Sequence, residues 1–380
     1  MSLTTQVQLF KKLQHLLIIR FSALGDVAML VPVVSSLAHQ YPDLHITVLS
    51  RRFARSLFEG LADNVGFMEA DLKNDYRGIH GLNALYRRLK AKHFTAVADM
   101  HGVLRSMYLR WRFKIDRNPV AHIDKHRKGK RRLAAKTGKV MKQQPTSFQN
   151  YADVLAQLGY PVKMEFRSIF GEGRGDLRLL PKAVGEKGAN EHWIGIAPFA
   201  AHEGKVLPLE TMEQVVATLS ERHPEARFFL FGGGDKEKAQ FEAWCERYPR
   251  CVNASAQSAG LLQELIIMSH LDVMVSMDSA NMHLASLTGT PVVSVWGATH
   301  PYAGFMGWRQ TEENAVQVDL SCRPCSIYGN KPCHRGDFAC MRQITAEDVI
   351  SKVEKSLTPD PSIPSAARPP VAFPKGEGSR

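Results

Sequence analysis

Residues 16–26 read Leu16-Leu17-Ile18-Ile19-Arg20-Phe21-Ser22-Ala23-Leu24-Gly25-Asp26. Four consecutive apolar residues are typical of a short strand that is buried on both faces, and residues 26–37 follow with a helical pattern. Pro32 is tolerated in such a helix only near its first turn or at a kink. The stretch therefore predicts a strand, a short loop and a helix, which is the opening unit of a parallel sheet covered by helices.

The same alternation of strand and helix recurs along the chain. Further strands are predicted at 45–49, 94–98, 193–197, 227–231, 271–276 and 292–296, and helices at 148–158, 209–222, 235–247, 259–269, 280–287 and 345–356. A glycine-rich stretch at 171–190 separates two such series. The sequence predicts an α/β fold with two doubly wound parallel-sheet domains, 1–180 and 181–357, and a disordered proline-rich tail at 358–380.

Composition excludes several classes of protein. The chain has 380 residues, of which 44% are hydrophobic and 23% charged, values that suit a globular protein with two cores. No run of about 18 apolar residues is present, so no membrane-spanning helix is predicted. The segment Met1–Lys12 lacks the apolar core of a signal peptide, and we expect a cytoplasmic location.

The net charge of +12 is concentrated in one segment, which we call the basic block, residues 125–142. It contains nine basic residues and no acidic ones: Lys125, Arg127, Lys128, Lys130, Arg131, Arg132, Lys136, Lys139 and Lys142. Such a block suggests an anionic partner, and the lack of interleaved aromatic residues favours anionic lipid over single-stranded nucleic acid. The alternative is a solvated loop without a dedicated partner.

Ligands of doubly wound sheets bind at the carboxyl ends of the strands, and polar loops follow four of the predicted strands here. In the first loop Asp26 suits either the cap of a helix or a general base. In the second, residues 197–205, Lys205 suits a phosphate group or an ordinary surface position. In the third, Gly232-Gly233-Gly234 precedes Asp235, an arrangement that suits ribose hydroxyls but lacks the spacing of known nucleotide fingerprints.

The fourth loop reads Ser276-Met277-Asp278-Ser279-Ala280-Asn281-Met282-His283. Backbone amides at a helix start bind anions, and small residues at 279 and 280 would leave that start open. Asp278 suits a helix cap and His283 a core position equally well. Residues 297–301 end the next strand and are expected to lie beside this loop.

Together these loops resemble one family, the ADP-heptose:lipopolysaccharide heptosyltransferases of glycosyltransferase family 9. The resemblance runs from about Leu16 to Ile350, and its most specific parts are 20–26, 278–283 and 297–301. It implies a GT-B fold with two domains facing across a cleft, and inverting transfer of a heptose from ADP-heptose or a related nucleotide sugar. The acceptor implied is the lipid A-linked inner core of lipopolysaccharide at the cytoplasmic face of the inner membrane.

The resemblance also implies roles for particular residues. Asp26 would be the general base, and no cofactor or obligatory metal would be required. The expected donor contacts are Ala200, Ala201, Lys205, Asp235, Asp278, Ser279, Ala280 and His283. Contacts to the anionic acceptor or the membrane are expected from Arg20, Arg105, Lys128, Lys130, Arg131 and Arg132. Ala200 and Ala201 stand where the family often has hydroxyl residues, and Val206-Leu207 replaces an aromatic or basic pair.

Four cysteines lie within 19 residues: Cys322, Cys325, Cys333 and Cys340. Their number suits a tetrahedral structural zinc, but the spacing of the second pair is irregular for a zinc ribbon. Free or redox-sensitive thiols are the alternative.

Two other functions remain open at this point. A sugar-nucleotide epimerase would share the two-domain architecture and would turn over its substrate without an acceptor. A nucleic-acid-binding protein would use the basic block, with binding that falls steeply as salt rises, but it leaves the four loops unexplained.

Overall fold

The computed structural model describes residues 14–358, so the predictions for Met1–Lys12 and for most of the tail lie outside the described residues. The chain forms two compact units. The first comprises the chain up to Arg127 together with Pro145–Ile169, and the second comprises Lys128–Gln144 and the chain from Phe170 onward. Within residues 14–358, no helix is both long enough and apolar enough to cross a bilayer.

The first unit contains a five-stranded parallel sheet in the order β3-β2-β1-β4-β5. Its strands are β1 (His15–Ile19), β2 (His45–Ser50), β3 (Val65–Glu69), β4 (Ala96–Asp99) and β5 (Val120–His122). The helices in this part of the chain are α1 (Leu24–Ala28), α2 (Val31–Gln40), α3 (Arg55–Phe58), α4 (Gly78–Lys90), α5 (Leu104–Ile115), α6 (Arg127–Leu133) and α7 (Ser147–Gln157). Of these, α6 belongs to the second unit from Lys128 onward. β1 is the central strand, and its residues 16–19 are fully buried, as the apolar run predicts.

Two details of the first unit differ from the prediction. The helix predicted at 26–37 is divided into α1 and α2, and Pro32 lies in the first turn of α2. A proline there loses no intrahelical hydrogen bond, whereas within one continuous helix it would remove a bond and clash with the preceding turn. The edge strands β3 and β5 were not predicted, because β3 is interrupted by Gly66 and β5 has only three residues.

The second unit contains a six-stranded parallel sheet in the order β11-β10-β9-β6-β7-β8. Its strands are β6 (Trp193–Ala197), β7 (Arg227–Leu230), β8 (Cys251–Asn253), β9 (Val273–Met277), β10 (Val292–Val295) and β11 (Ala315–Val316). Its helices are α8 (Leu209–Arg222), α9 (Asp235–Arg247), α10 (Ala254–Gln257), α11 (Leu261–Ser269), α12 (Ala280–Leu287), α13 (Ala339–Arg342) and α14 (Ala346–Leu357). The helices predicted at 209–222, 235–247 and 280–287 have the predicted bounds. The edge strands β8 and β11 were not predicted, because they have only three and two residues.

The division into units differs from the predicted boundary after residue 180. Most of the basic block packs in the second unit rather than the first. The Gln144 backbone N–H donates to the Tyr302 carbonyl at 2.8 Å, and Lys139 Nζ donates to the carbonyls of Arg323 (2.8 Å) and Pro324 (3.1 Å). Lys130 is buried, with Nζ 4.1 Å from the centroid of the Phe305 ring. A run of charges shows composition only, and these contacts depend on residues more than 150 positions away.

Both sheets have the strand order of a doubly wound fold, which creates one switch point in each unit. The chain leaves β1 in one direction and β4 in the other, and it does the same at β6 and β9. Ligands bind in the crevice outside the carboxyl ends of the strands at such points. The loops after β1 and β4, and those after β6 and β9, are therefore where each unit is expected to hold a ligand.

Candidate functional site

In the first unit, Asp26 lies in the first turn of α1, directly after the loop that follows β1. Its Oδ2 accepts a hydrogen bond from the Ala23 backbone N–H at 3.2 Å and lies 2.6 Å from Nη2 of Arg20. Within residues 14–358, Oδ1 accepts no hydrogen bond, and about a third of the side chain is exposed. Asp26 thus caps its helix through one oxygen while the other remains available to accept a proton, so the two readings of this residue are compatible.

Arg20 is the ion-pair partner of this carboxylate. It is buried, its Nη1 donates to the Met100 carbonyl at 2.6 Å, and its guanidinium lies 5.7 Å from the centroid of the Tyr151 ring. The Tyr151 hydroxyl in turn donates to the Asp26 carbonyl at 3.1 Å. The sequence predicted Arg20 as an acceptor or membrane contact. In the structure its side chain is buried and contacts Asp26, which it orients.

His101 completes the switch point from the loop after β4. Its Nδ1 accepts from the Phe21 backbone N–H at 3.4 Å, and its Nε2 lies 3.4 Å from Ser22 Oγ. Burial lowers the pKa of His101 to about 4, and the nearby cations of Arg20 and Lys125 act in the same direction. The neutral ring with its proton on Nε2 suits both contacts, so His101 ties the β4 loop to the loop that carries Asp26.

The sequence analysis missed His101, although a signal was present. The polar pair Asp99 and His101 directly follows a predicted strand, as the other four loops do. Asp99 is fully buried, and its Oδ1 accepts from the backbone N–H groups of His101 (3.0 Å) and Gly102 (2.8 Å). A hydrogen-bonded Asp at this place holds the backbone of the loop in one conformation.

Replacing His101 by Gln is expected to make the free energy of unfolding depend less on pH between about pH 6.5 and 4. The folded-state pKa is lowered from 6.5 to about 4, so below pH 6.5 the unfolded chain binds a proton that the native state does not. Native stability from this group is therefore complete above pH 6.5 and decreases by up to about 3 kcal/mol as the pH falls to about 4. Urea unfolding between pH 4 and 7 measures this slope, and His45→Gln at an exposed position is the control. An unchanged slope in the His101 variant would contradict the assignment.

The basic side chains predicted to contact an acceptor or a membrane do not form one set. Lys125 belongs to the first unit, where its Nζ lies 3.4 Å from the Gly102 carbonyl, and burial together with Arg20 lowers its pKa. Arg105 is exposed on α5. In the second unit Lys128, Arg131 and Arg132 are exposed on α6, whereas Lys130 is buried, as described above.

In the second unit, Lys205 and Asp278 come together at the switch point between β6 and β9. Lys205 ends a short 3₁₀ turn, Glu203–Lys205, and its Nζ lies 3.0 Å from Oδ2 of Asp278. Both side chains are largely buried, at 15% and 6% exposed. Asp278 is thus not a helix cap but the partner of a lysine, which it holds at the carboxyl ends of the two central strands.

The start of α12 lies beside this pair. Ser279 is the residue before the helix, and its side chain does not cap it, since its Oγ lies 3.3 Å from Ser276 Oγ instead. The Ser279 side chain therefore leaves the first backbone N–H groups of α12 uncapped, as an anion site requires. His283, one turn further on, is buried.

The remaining predicted donor contacts are less well placed. Ala200 packs against the core of the unit, and Ala201 is exposed. Asp235 is exposed at the first position of α9, while Glu237 Oε2 accepts from the Gly233 backbone N–H at 2.7 Å. The Glu237 side chain therefore fixes the backbone of the glycine loop at 232–234. The sequence analysis did not predict this contact.

Two glycines and an arginine bring the end of β10 against the Lys205 turn. The Ala298 backbone N–H donates to the Gly204 carbonyl at 2.8 Å. Arg323 is buried, and its guanidinium donates to the carbonyls of Gly297 (2.6 Å), Trp296 (2.9 Å) and Thr299 (3.1 Å). Arg323, which the sequence analysis missed, thus holds residues 297–299 against the Lys205 turn. The Asp278 backbone N–H donates to the Val295 carbonyl at 3.1 Å, so the end of β10 also adjoins the fourth loop.

Gly297→Ala is expected to destabilise the second unit and to loosen this site. A Cβ at residue 297 would overlap the Met341 side chain and lie 2.6 Å from the Gly204 carbonyl oxygen. Overpacking of this kind costs about 1–3 kcal/mol. Thermal unfolding measures the loss, and Gly233→Ala, where the added carbon meets nothing within 4 Å, is the matched control. Equal stability of the two variants would show that the approach of residue 297 to Gly204 is not tight.

The four clustered cysteines are free thiols. Across the part of the chain that the structure describes, no group of three or more His, Cys, Asp or Glu side chains is arranged to hold a metal ion. Burial raises the pKa of Cys325, and it raises that of Cys340 to about 11. The structural metal that the spacing left open stays a prediction.

Comparison with known proteins agrees with this architecture. The E. coli heptosyltransferase WaaC, solved with ADP, superimposes with a TM-score of 0.62 at 17% identity, covering 90% of this chain and all of that one. The fold is accordingly of the GT-B class, with two doubly wound parallel-sheet units. Lipopolysaccharide heptosyltransferase 1 of Campylobacter coli is 23% identical over 350 residues, which are 89% of this chain and 97% of that protein. Lipooligosaccharide heptosyltransferase 2 of Campylobacter jejuni is 25% identical over 152 residues, 38% of this chain and 45% of that protein.

A fold of this class with a carboxylate at one switch point and a lysine at the other suits a group-transfer enzyme. Residues 82–333 match the model of glycosyltransferase family 9 (heptosyltransferase), and the chain belongs to that family. This membership confirms the resemblance drawn from the four loops. It favours glycosyl transfer over the epimerase and nucleic-acid-binding alternatives.

Proposed function

We propose that the protein transfers a heptose, with inversion, from ADP-heptose to the lipid A-linked inner core of lipopolysaccharide. The observation that carries this proposal is the Asp26 carboxylate. It lies at the switch point of its sheet, is anchored through Oδ2 and has Oδ1 open. A base for an acceptor hydroxyl needs that combination of fixed orientation and a free lone pair.

In the proposed reaction, Oδ1 of Asp26 takes the proton of the acceptor hydroxyl. The acceptor oxygen forms a bond to the anomeric carbon of the heptose, and the bond from that carbon to the diphosphate oxygen breaks on the opposite face. The electron pair of the broken bond goes to the diphosphate, which leaves as ADP. Arg20 and Tyr151 keep the base in place throughout.

The second unit would bind the donor. Lys205 supplies a positive charge and the start of α12 supplies backbone N–H groups, both of which suit a diphosphate whose charge increases as it leaves. The adenine and the ribose would lie toward the glycine loop at 232–234. Asp235 remains the proposed ribose contact.

We further propose that the protein works at the cytoplasmic face of the inner membrane, where a lipid-linked acceptor would be found. Arg105 and the exposed members of the basic block stay proposed contacts for the phosphates of that acceptor. Attraction of exposed cations to such a surface decreases with salt, since the Debye length is about 8 Å at physiological ionic strength.

The direct test is an assay with ADP-heptose and a heptose-deficient, deacylated core acceptor. We expect ADP release that requires the acceptor, and a product whose mass has increased by one heptosyl group. Release of the nucleotide at the same rate without acceptor would contradict the proposal and restore the epimerase reading. Core oligosaccharide from cells lacking the protein should be truncated in the same place.

A further inference from the structure

Helix α5 exposes an apolar surface that the packing of the first unit does not explain. Leu104 is 84% exposed, Trp111 and Ile115 are each 57% exposed, and Met107 is 43% exposed. Within residues 14–358, ten large apolar side chains are this exposed, and four of them lie on this one helix of 12 residues. Single exposed apolar residues are ordinary, but a group of them on one element marks a contact surface.

The four side chains share one face of the helix. Their spacings are three, four and four residues, which place them within an arc of about 80° at about 100° per residue. Leu109 and Phe113 are buried on the opposite side, where α5 packs on β4 and β5. The outer face of a surface helix is normally polar, so α5 is apolar on both its inner and its outer face.

Cations flank the outer face on both sides. Arg105 and Arg112 lie along one edge of it, and Arg110 and Lys114 along the other, and α5 contains no acidic residue. Arg112 is engaged with the Tyr86 ring, and Arg110 lies 3.4 Å from the buried Asp99. Arg105 and Lys114 are the exposed pair. The neighbouring helix α4, which packs against α5, adds exposed Arg87 and Arg88 in its last turn.

We propose that the α5 face, defined as Leu104, Met107, Trp111 and Ile115, docks the protein on an anionic lipid bilayer. The proposal rests on the proposed function, which requires a lipid-linked acceptor. An apolar stripe with basic edges binds in the plane of a bilayer interface, where its apolar side chains enter the headgroup region. Tryptophan prefers that depth, and the flanking cations attract anionic headgroups.

Vesicle sedimentation of the full chain tests the surface. The vesicles contain phosphatidylcholine and phosphatidylglycerol at three to one, with pure phosphatidylcholine as the uncharged comparison. Replacing the four apolar residues together by Ser is expected to weaken partitioning by about tenfold or more, because binding scales with the apolar area buried. Leu179→Ser with Leu262→Ser removes exposed apolar residues from the second unit and should leave partitioning unchanged. Equal sedimentation of the wild type and the four-residue variant would overturn the proposal.

Trp111 provides an independent readout in the intact protein. The other four tryptophans of the chain are buried, namely Trp193, Trp244, Trp296 and Trp308. Phosphatidylcholine brominated near the headgroup should therefore quench mainly Trp111 when the same vesicles bind, and Trp111→Phe should abolish that quenching. Quenching that persists in the Trp111→Phe variant would place the contact elsewhere.

Two further measurements separate this surface from the proposed function. The four-residue variant should transfer heptose to a soluble deacylated acceptor at the wild-type rate, yet lose at least several-fold in rate on acceptor embedded in vesicles. If the wild type does not act on the soluble acceptor, the proposed function fails, whereas sedimentation still decides the surface. Sedimentation equilibrium without lipid tests whether a second copy of the chain covers the α5 face instead. Self-association of the wild type that the four-residue variant loses would overturn the membrane assignment.

Discussion

Replacing Asp26 by Asn is expected to lower kcat by about 10²–10⁴-fold, the usual effect of removing a general base. Asn has nearly the same shape and keeps an oxygen for the Ala23 backbone N–H, so the loop after β1 should retain its path. The Asn amide is far too weak a base to take the proton of the acceptor hydroxyl. Single-turnover assays at saturating donor and acceptor measure the loss of the chemical step.

The control for this variant separates the base from the fold. Asn leaves the buried Arg20 without its anionic partner, which destabilises the first unit, so thermal unfolding has to be measured alongside activity. Binding of ADP, which we assign to the second unit, should remain within about twofold of wild type. A turnover within about threefold of the wild-type value would assign the base to another residue.

Lys205→Ala is expected to lower kcat by about 10²–10³-fold, with a smaller loss in donor affinity. The charge on the diphosphate increases as the bond to the sugar breaks, so a fixed cation stabilises the transition state more than the bound donor. Lys205 is largely buried and is held at 3.0 Å by Asp278, and its position is therefore set before the donor binds. Steady-state kinetics with varied donor measure kcat and KM separately.

Two controls accompany the Lys205 variant. Lys355→Ala removes an exposed lysine from α14 of the same unit and should not change kcat. Lys205→Ala combined with Asp278→Asn removes the unpaired buried carboxylate and should recover stability without recovering turnover. If Lys205→Ala changes only the KM of the acceptor, the lysine does not contact the donor diphosphate.

The order of strands and helices along the chain was largely predicted from local sequence patterns. Fully buried strands such as β1 and β9 require consecutive apolar residues, and helices such as α8, α9 and α12 require apolar residues at helical spacing. The two-unit α/β architecture follows from their alternation. Polar loops at strand ends then pointed to both switch points, because the carboxyl ends of parallel strands meet at one edge of a sheet.

What the sequence by itself determined is therefore the fold class, the family and the places where chemistry could occur. Which side chains meet there depended on the tertiary structure. The contacts of Arg20 with Met100, of His101 with Phe21, and of Arg323 with Gly297 join residues 26 to 80 positions apart, and no local pattern specifies them. Likewise, neither the charges of the basic block nor the apolar residues of the α5 face show from the sequence which side chains are buried and which are exposed. Burial is decided by what packs against a residue, so Lys130 lies inside on Phe305 while Trp111 lies on the surface.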